Sequence, residues 1–164
     1  MARYKMRQKL ISLGEDFTIE DAAGNPAFEV DGKVLTVRET FELKDRQGNV
    51  VATIRSKLLS VRSKMDVLRD GDVVATITKA FFAPLRQNFK VDVAGGKDLD
   101  VDGSILDHEY TLRRGDDVVG QVSKRWFTIR DTYGIDIAED EDDALLLAVA
   151  VAVDEMAHEP DADG

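Results

Sequence analysis

The stretch "DALLLAVAVAVDEM" (143–156) sets ten uninterrupted apolar residues, Ala144 to Val153, between acidic residues in a chain of 164 residues with a net charge of −10. A membrane span needs roughly 20 such residues, so the run is too short to cross a bilayer. A buried strand is a second reading, because a short apolar run has no periodicity that separates strand from helix. The preceding "EDEDD" (139–143) argues for a helix, since it offers N-cap carboxylates and puts negative charge at the positive end of the helix dipole. The Ala and Leu content and the continuation through Met156 agree, and they predict a helix over about 142–157. A helix apolar on every face must be enclosed by protein on every face.

The material available to enclose it is a repeated phrase. "ELKDRQGNVVATI" (42–54), "VLRDGDVVATI" (67–77) and "TLRRGDDVVGQV" (111–122) share a β-type run, a basic residue after Leu, a Gly-bearing turn and an aliphatic run. Six, four and five residues separate the Leu from the following Val, lengths that suit hairpin loops, and Asp70-Gly71 is a strong turn dipeptide. "FTIEDAAGNPAFEV" (17–30) is a weaker copy. Period-2 segments such as Tyr4/Met6, Phe41/Leu43, Val91/Val93, Tyr110/Leu112 and Tyr133/Ile135/Ile137 bring the count to about twelve short strands before residue 139. Hairpins spaced in this way form a sandwich or a barrel. A sheet closed around one helix satisfies both halves of the sequence. The predicted fold is therefore mainly β: an antiparallel closed barrel of about twelve strands around a buried hydrophobic C-terminal helix, in one domain over 1–158, with 159–164 as a disordered acidic tail.

The charge is unevenly placed. Residues 131–164 hold twelve acids and no Lys or Arg, which leaves twenty acids and twenty-two bases, a charge of +2, on residues 1–130. A broad basic footprint for nucleic acid is missing. The chain has no cysteine, so disulfides and thiolate chemistry are excluded, and its start lacks the apolar core of a signal peptide. These features predict a cytoplasmic protein with no transmembrane segment.

The hairpins with their "G-x-VV" turns, followed by "KRWFTIRDTYGIDIAEDEDDALLLAVAVAVDEM" (124–156), resemble the LURP-one-related family, which is grouped with tubby C-terminal domains and phospholipid scramblases. The resemblance is most specific in the strand Asp131, Tyr133, Ile135 and Ile137, the acidic turn, and the apolar helix closed by Asp154. It implies a twelve-stranded barrel around a hydrophobic helix, as in a small prokaryotic member of the family. Tubby domains bind phosphoinositide head groups through basic residues on the barrel surface. The resemblance thus implies a non-catalytic binding module for an anionic ligand or phospholipid head group; the alternative is an interaction scaffold with no small-molecule site.

Two sets of residues are candidates for such a role. Arg3, Lys5, Arg7 and Lys9 alternate, so in a strand they share one face, and Lys124 and Arg125, next to Trp126 and Phe127, could join them around an anion. Lys57 and Lys79 occupy equivalent points after other aliphatic runs. The competing reading makes all of these solvent-facing strand ends paired with nearby Asp and Glu. The second set is "DLDVDGSILDHE" (98–109), which fits a calcium-loop pattern with Asp98, Asp100, Asp102 and Glu109 as ligands and Gly103 at the bend. The flanking segments read as strands, so the same residues also read as an acidic hairpin turning at Asp102-Gly103. Calcium is the one cofactor the pattern suggests. His108 and His158 lack a second imidazole at ligand spacing and read as structural or solvent-facing. No G-x-S-x-G, P-loop or G-x-G-x-x-G is present, and "AGGK" (94–97) is too short to cradle a phosphate, so no enzyme is predicted.

Overall fold

A computed structural model describes residues 2–7, 17–33, 40–56, 64–81, 87–126 and 132–158. Twelve strands precede one helix: β1 (Ala2–Arg7), β2 (Phe17–Asp21), β3 (Pro26–Lys33), β4 (Thr40–Lys44), β5 (Val50–Ser56), β6 (Lys64–Arg69), β7 (Asp72–Phe81), β8 (Gln87–Val93), β9 (Leu99–Ser104), β10 (Glu109–Arg114), β11 (Asp117–Ser123), β12 (Thr132–Ile137) and α1 (Asp143–His158). Each strand pairs antiparallel with its neighbours in sequence, and β1 pairs with both β2 and β12, which closes the sheet into a barrel. The expected barrel and helix are both present, and the helix bounds differ from expectation by one residue at each end. Residues 159–164 lie outside the described part.

The repeated phrase has a structural reason. In each repeat the register shifts just before the turn, at Leu43/Lys44, Val67/Leu68 and Leu112/Arg113, and the weaker copy shifts at Ile19/Glu20. A bulge inserts one residue, bends the strand and raises its twist, which is what a sheet needs in order to close. The turn that follows β6 is tight, with Asp70 and Gly71 at φ 50° and 84°, a left-handed pair that the Asp-Gly dipeptide tolerates.

Strand alternation turns Met6, Ile19, Val30, Phe41, Leu43, Ile54, Val67, Ile77, Val91, Leu112 and Ile135 inward, all at most 1% exposed. The helix fills the space they surround, and every residue from Leu146 to Val153 is at most 1% exposed. It lies against β5, β6, β7, β8 and β12. Two of these strands turn small residues inward, Ala52 on β5 and Ala75 on β7, and so allow close approach, while Phe41, Leu43, Leu99 and Leu112 reach in from strands that stand farther off. Burying each large aliphatic side chain contributes about 1.5–3 kcal/mol. The helix is 16 residues long, and no described helix is long and apolar enough to cross a membrane.

The start of the helix is tied to the barrel wall by its acidic lead. Asp142 is the N-cap, and its Oδ1 accepts the Leu145 N–H at 3.1 Å. The same carboxylate receives the Arg69 guanidinium fork, with one bond at 2.8 Å. Glu141 receives Arg114 at 2.5 and 3.0 Å, and the Tyr4 hydroxyl donates to Asp143 at 2.5 Å. The basic residue near the turn in two of the repeats is thus a tether for the helix; in the third, Lys44 pairs instead with Asp31 at 3.0 Å. The Arg69 hydrogen bond, followed by backbone N–H donors, holds the Asp142 carboxyl below its ordinary range despite partial burial.

Two outcomes follow from this packing. Val149→Asp places a charge where exposure is 0% and is expected to cost several kcal/mol, comparable with the stability of the whole domain, so cooperative unfolding in urea should be lost. Asp142→Ala is expected to lower stability at neutral pH by about 1 kcal/mol through the lost cap. Because the folded-state pKa of Asp142 is depressed, its contribution is present above the ordinary carboxylate pKa and lost as pH falls through the lowered value. The difference between wild type and Asp142→Ala, measured by urea denaturation at stepped pH, should therefore shrink on acidification.

Candidate functional site

The barrel closes at β1, and the candidate bases meet there. Among the described residues β1 pairs with β12 over six positions, Ala2↔Ile137 to Arg7↔Thr132, and with β2 over two, Tyr4↔Asp21 and Lys5↔Glu20. Inward residues Tyr4 and Met6 alternate with Arg3 and Lys5 on the outer face, and the side chain of Arg7 lies outside what the structure describes. β11 reaches the same seam from the other side, through Ser123↔Gly134, and Gly134 is also the partner of Lys5. A row Lys5–Gly134–Ser123 therefore crosses β12, with no side chain at its middle. The chain leaves β11 as Lys124, Arg125 and Trp126, and the Trp126 ring returns over Arg3, whose Cζ lies 4.3 Å from the ring centroid. Two groups of bases far apart in sequence are adjacent in space. Lys9, Lys57 and Phe127 lie outside the described residues, and Lys79 is buried rather than solvent-facing.

These bases have carboxylate partners. Arg3 makes a fork with Asp136, Nε–Oδ1 at 2.6 Å and Nη2–Oδ2 at 2.9 Å, and this bond, more than any other influence, raises its proton affinity. Lys5 pairs with Glu20 at 2.5 Å, and Arg125, with a side chain 86% exposed, stands 3.9 Å from Glu109. The face is basic and aromatic in composition but close to neutral in charge. Beside the β1–β2 pairing and the β2–β3 turn lies an open groove of about 390 Å³ lined by Arg3, Lys5, Asp21, Ala22, Ala23 and Gly24. The far wall of the groove is held by Asp21, whose Oδ1 accepts the N–H groups of Ala23 and Asn25 and whose Oδ2 accepts Arg46 at 3.0 Å.

The acidic candidates are arranged as a hairpin. Asp98 caps the β8–β9 turn by accepting the Val93 N–H at 3.1 Å. Asp100 and Asp102 alternate with buried Leu99 and Val101 along β9, Asp100 lying 3.6 Å from Lys90 and Asp102 accepting the Thr111 hydroxyl at 3.5 Å. At strand rise, Asp98 and Asp102 are roughly 13 Å apart, whereas a calcium loop wraps its carboxylates about one point. Glu109 opens β10 and accepts the Ser123 hydroxyl at 2.9 Å and the Lys124 N–H at 3.0 Å. Among the described residues no group of three or more His, Asp or Glu is placed to hold a metal ion. The turn of this hairpin lies at residues 105–108, not at Asp102-Gly103. Gly103 (φ 133°) sits within β9 where β10 comes so close that a Cβ would lie 2.7 Å from the Glu109 carbonyl oxygen and 2.8 Å from Tyr110 Cα. In the "EDEDD" run, Glu141, Asp142 and Asp143 are engaged by Arg114, Arg69 and Tyr4, as helix capping implies.

A buried polar cluster was missed at the sequence level. His108 is 0% exposed, and its Nε2 lies 2.6 Å from Oδ1 of Asp154, which is 2% exposed in the last turns of α1. The imidazole stacks on Tyr133 at 4.1 Å and 28°. Tyr133 and Tyr110 are fully or nearly fully buried, and their hydroxyls have no partner among the described residues. Burial, and then the Asp154 charge, push both phenols well above their usual pKa. The available signal was Asp154 itself, since an acid on a helix enclosed on every face demands a buried partner.

The family model described as LURP-one-related matches residues 2–154. The uncharacterized protein YxjI of Bacillus subtilis (strain 168) is 28% identical over 151 residues, which are 91% of this chain and 90% of that protein. The crystal structure of an Arabidopsis thaliana protein aligns with a TM-score of 0.69 at 20% identity, covering 94% of this chain and 91% of that one, a likeness of fold.

With its carboxylates spread along β9, the 98–109 segment is expected to give no rise in melting temperature in millimolar calcium; a rise abolished by Asp100→Ala would restore the loop reading. Gly103→Ala combines a positive φ with a backbone clash and is expected to cost about 1–3 kcal/mol, read as a lower urea midpoint.

Proposed function

The chain belongs to the LURP-one-related family, and from that premise we propose that it is a non-catalytic binding module that takes an anionic group, a phosphorylated head group on a membrane surface or free in solution, on the face carrying Arg3, Lys5, Lys124 and Arg125. The observation that carries this reading is the meeting of Arg3 and Lys5 with Lys124, Arg125 and Trp126 across β12. The interior is filled by α1, so an outer face is where a ligand has room. Arg3, forked to Asp136 and covered by the Trp126 indole, keeps the face in shape, and Lys5, Lys124 and the exposed Arg125 are the cations that it offers to an anion. The neighbouring groove gives such a group a walled approach. Trp126 suits a membrane interface, where an aromatic ring sits at head-group level. We place the protein in the cytoplasm, in keeping with a chain that contains no cysteine.

The energetics set the conditions for binding. Each cation near an anionic surface contributes about 1 kcal/mol, or about fivefold in affinity, and the interaction is screened beyond about 10 Å at 0.1 M salt. Co-sedimentation with neutral and anionic vesicles at low and high salt reads this directly, and thermal shift with inorganic phosphate reports a free anion. Wild type is expected to bind anionic vesicles at low salt only, with Lys5→Gln/Lys124→Gln/Arg125→Gln weaker by about two orders of magnitude. A thermal shift with phosphate in the absence of vesicle binding would assign the face to a soluble anion. Equal binding by wild type and variant, or none to either probe, would remove the anion reading and leave the interaction scaffold.

A further inference from the structure

The buried cluster and the basic face are joined by consecutive residues. His108 lies inside the barrel against Asp154, and the next residue, Glu109, emerges from it. His108 adopts φ 53°, and its N–H closes the 105–108 turn on the Ile105 carbonyl at 3.0 Å, so the imidazole's position and the direction in which the chain leaves the turn are set together. Left-handed backbone at a non-glycine residue costs energy and persists where its surroundings enforce it. A 2.6 Å contact to a buried carboxylate on the helix is such an enforcement. Glu109 Oε1 then accepts both the Ser123 hydroxyl and the Lys124 N–H, and Ser123 Oγ in turn accepts the Arg125 N–H at 3.0 Å. These bonds take over where the β11–β12 ladder ends at Ser123↔Gly134. The next residue along is Trp126, seated on Arg3.

We propose that His108, Asp154 and Glu109 are positioning residues for the basic and aromatic face: the buried pair fixes the 105–108 turn against the central helix, and from that turn Glu109 holds residues 123–125 so that Trp126 covers Arg3. The seating of the helix and the shape of the face are then one arrangement. The reciprocal consequence is that a group engaging Trp126 and Arg3 bears on the stability of the His108–Asp154 contact. This inference concerns the same face as the anion reading, but its readout needs no ligand.

Trp126 is the single tryptophan of the chain and reports on its own seat. Emission maximum and acrylamide quenching would be measured on the whole chain for wild type, Glu109→Ala, the double variant His108→Asn/Asp154→Asn, and Asp98→Asn as a control outside this set of contacts. The double variant leaves no buried charge at the pair, and Asn tolerates left-handed backbone. Glu109→Ala is expected to shift emission to the red and raise quenching. The double variant should do the same with Glu109 intact, and the control should match wild type. If the double variant does not unfold cooperatively, Asp154→Asn alone is expected to show the same changes in smaller measure. A wild-type Trp126 spectrum in whichever pair variant folds would show that the pair only stabilises the barrel and would overturn the proposal. Altered spectra together with no anion binding by wild type would leave this inference standing and sink the anion reading; normal spectra with binding would do the reverse.

Discussion

A helix without a polar face cannot be left at a surface, and that one constraint organises this barrel. Eight consecutive residues of α1, Leu146 to Val153, are at most 1% exposed, which requires sheet on every side and therefore a sheet without edges. Closure demands curvature, and the repeated bulges beside the turns, with Val51, Val74 and Val119 as the extra residues, supply it. The acidic lead then meets a second need, because an apolar helix inside an apolar tube has little to fix its depth. Glu141, Asp142 and Asp143 set its start against Arg114, Arg69 and Tyr4, and Asp154 sets its other end against His108.

What could be read from the sequence divides along physical lines. The helix and the hairpins were legible because each is encoded locally, by an unbroken apolar run with acids before it and by period-2 runs broken at Asp-Gly and similar turns. The grouping of Arg3 and Lys5 on one face was legible for the same reason. That this face adjoins Lys124 and Arg125 depends on closure between β1 and β12, a contact between residues more than a hundred positions apart, and no local pattern states it. The 98–109 segment shows a local pattern that fits two readings. Its spacing satisfies a metal loop, yet alternation of buried Leu99 and Val101 with exposed Asp100 and Asp102 satisfies a strand equally well, and burial of the apolar members decides between them. His108 looked idle because its partner lies 46 positions away on the helix.

The seam where β1 meets β2 and β12 shows how structural and binding demands share side chains. Among the described residues the β1–β2 ladder shows two pairs, and the ion pairs of Lys5 with Glu20 and Arg3 with Asp136 support the closure beside it. Those are also the bases that an anion on this face would engage. A phosphate that took the Arg3 fork would leave Asp136, 8% exposed, without its partner, and an unpaired buried carboxylate is costly. Binding through Arg3 is therefore opposed by the fold itself. Binding that leaves the Arg3–Asp136 fork intact and uses Lys5, Lys124 and the exposed Arg125 meets no such opposition. The two modes differ in what they do to stability: the first weakens the seam while it gains a ligand, and the second adds to a barrel whose closure is untouched. The exposed bases are thus the natural first contact. Arg3, capped by Trp126 and held by Asp136, is better suited to keeping the face in shape than to surrendering its carboxylate.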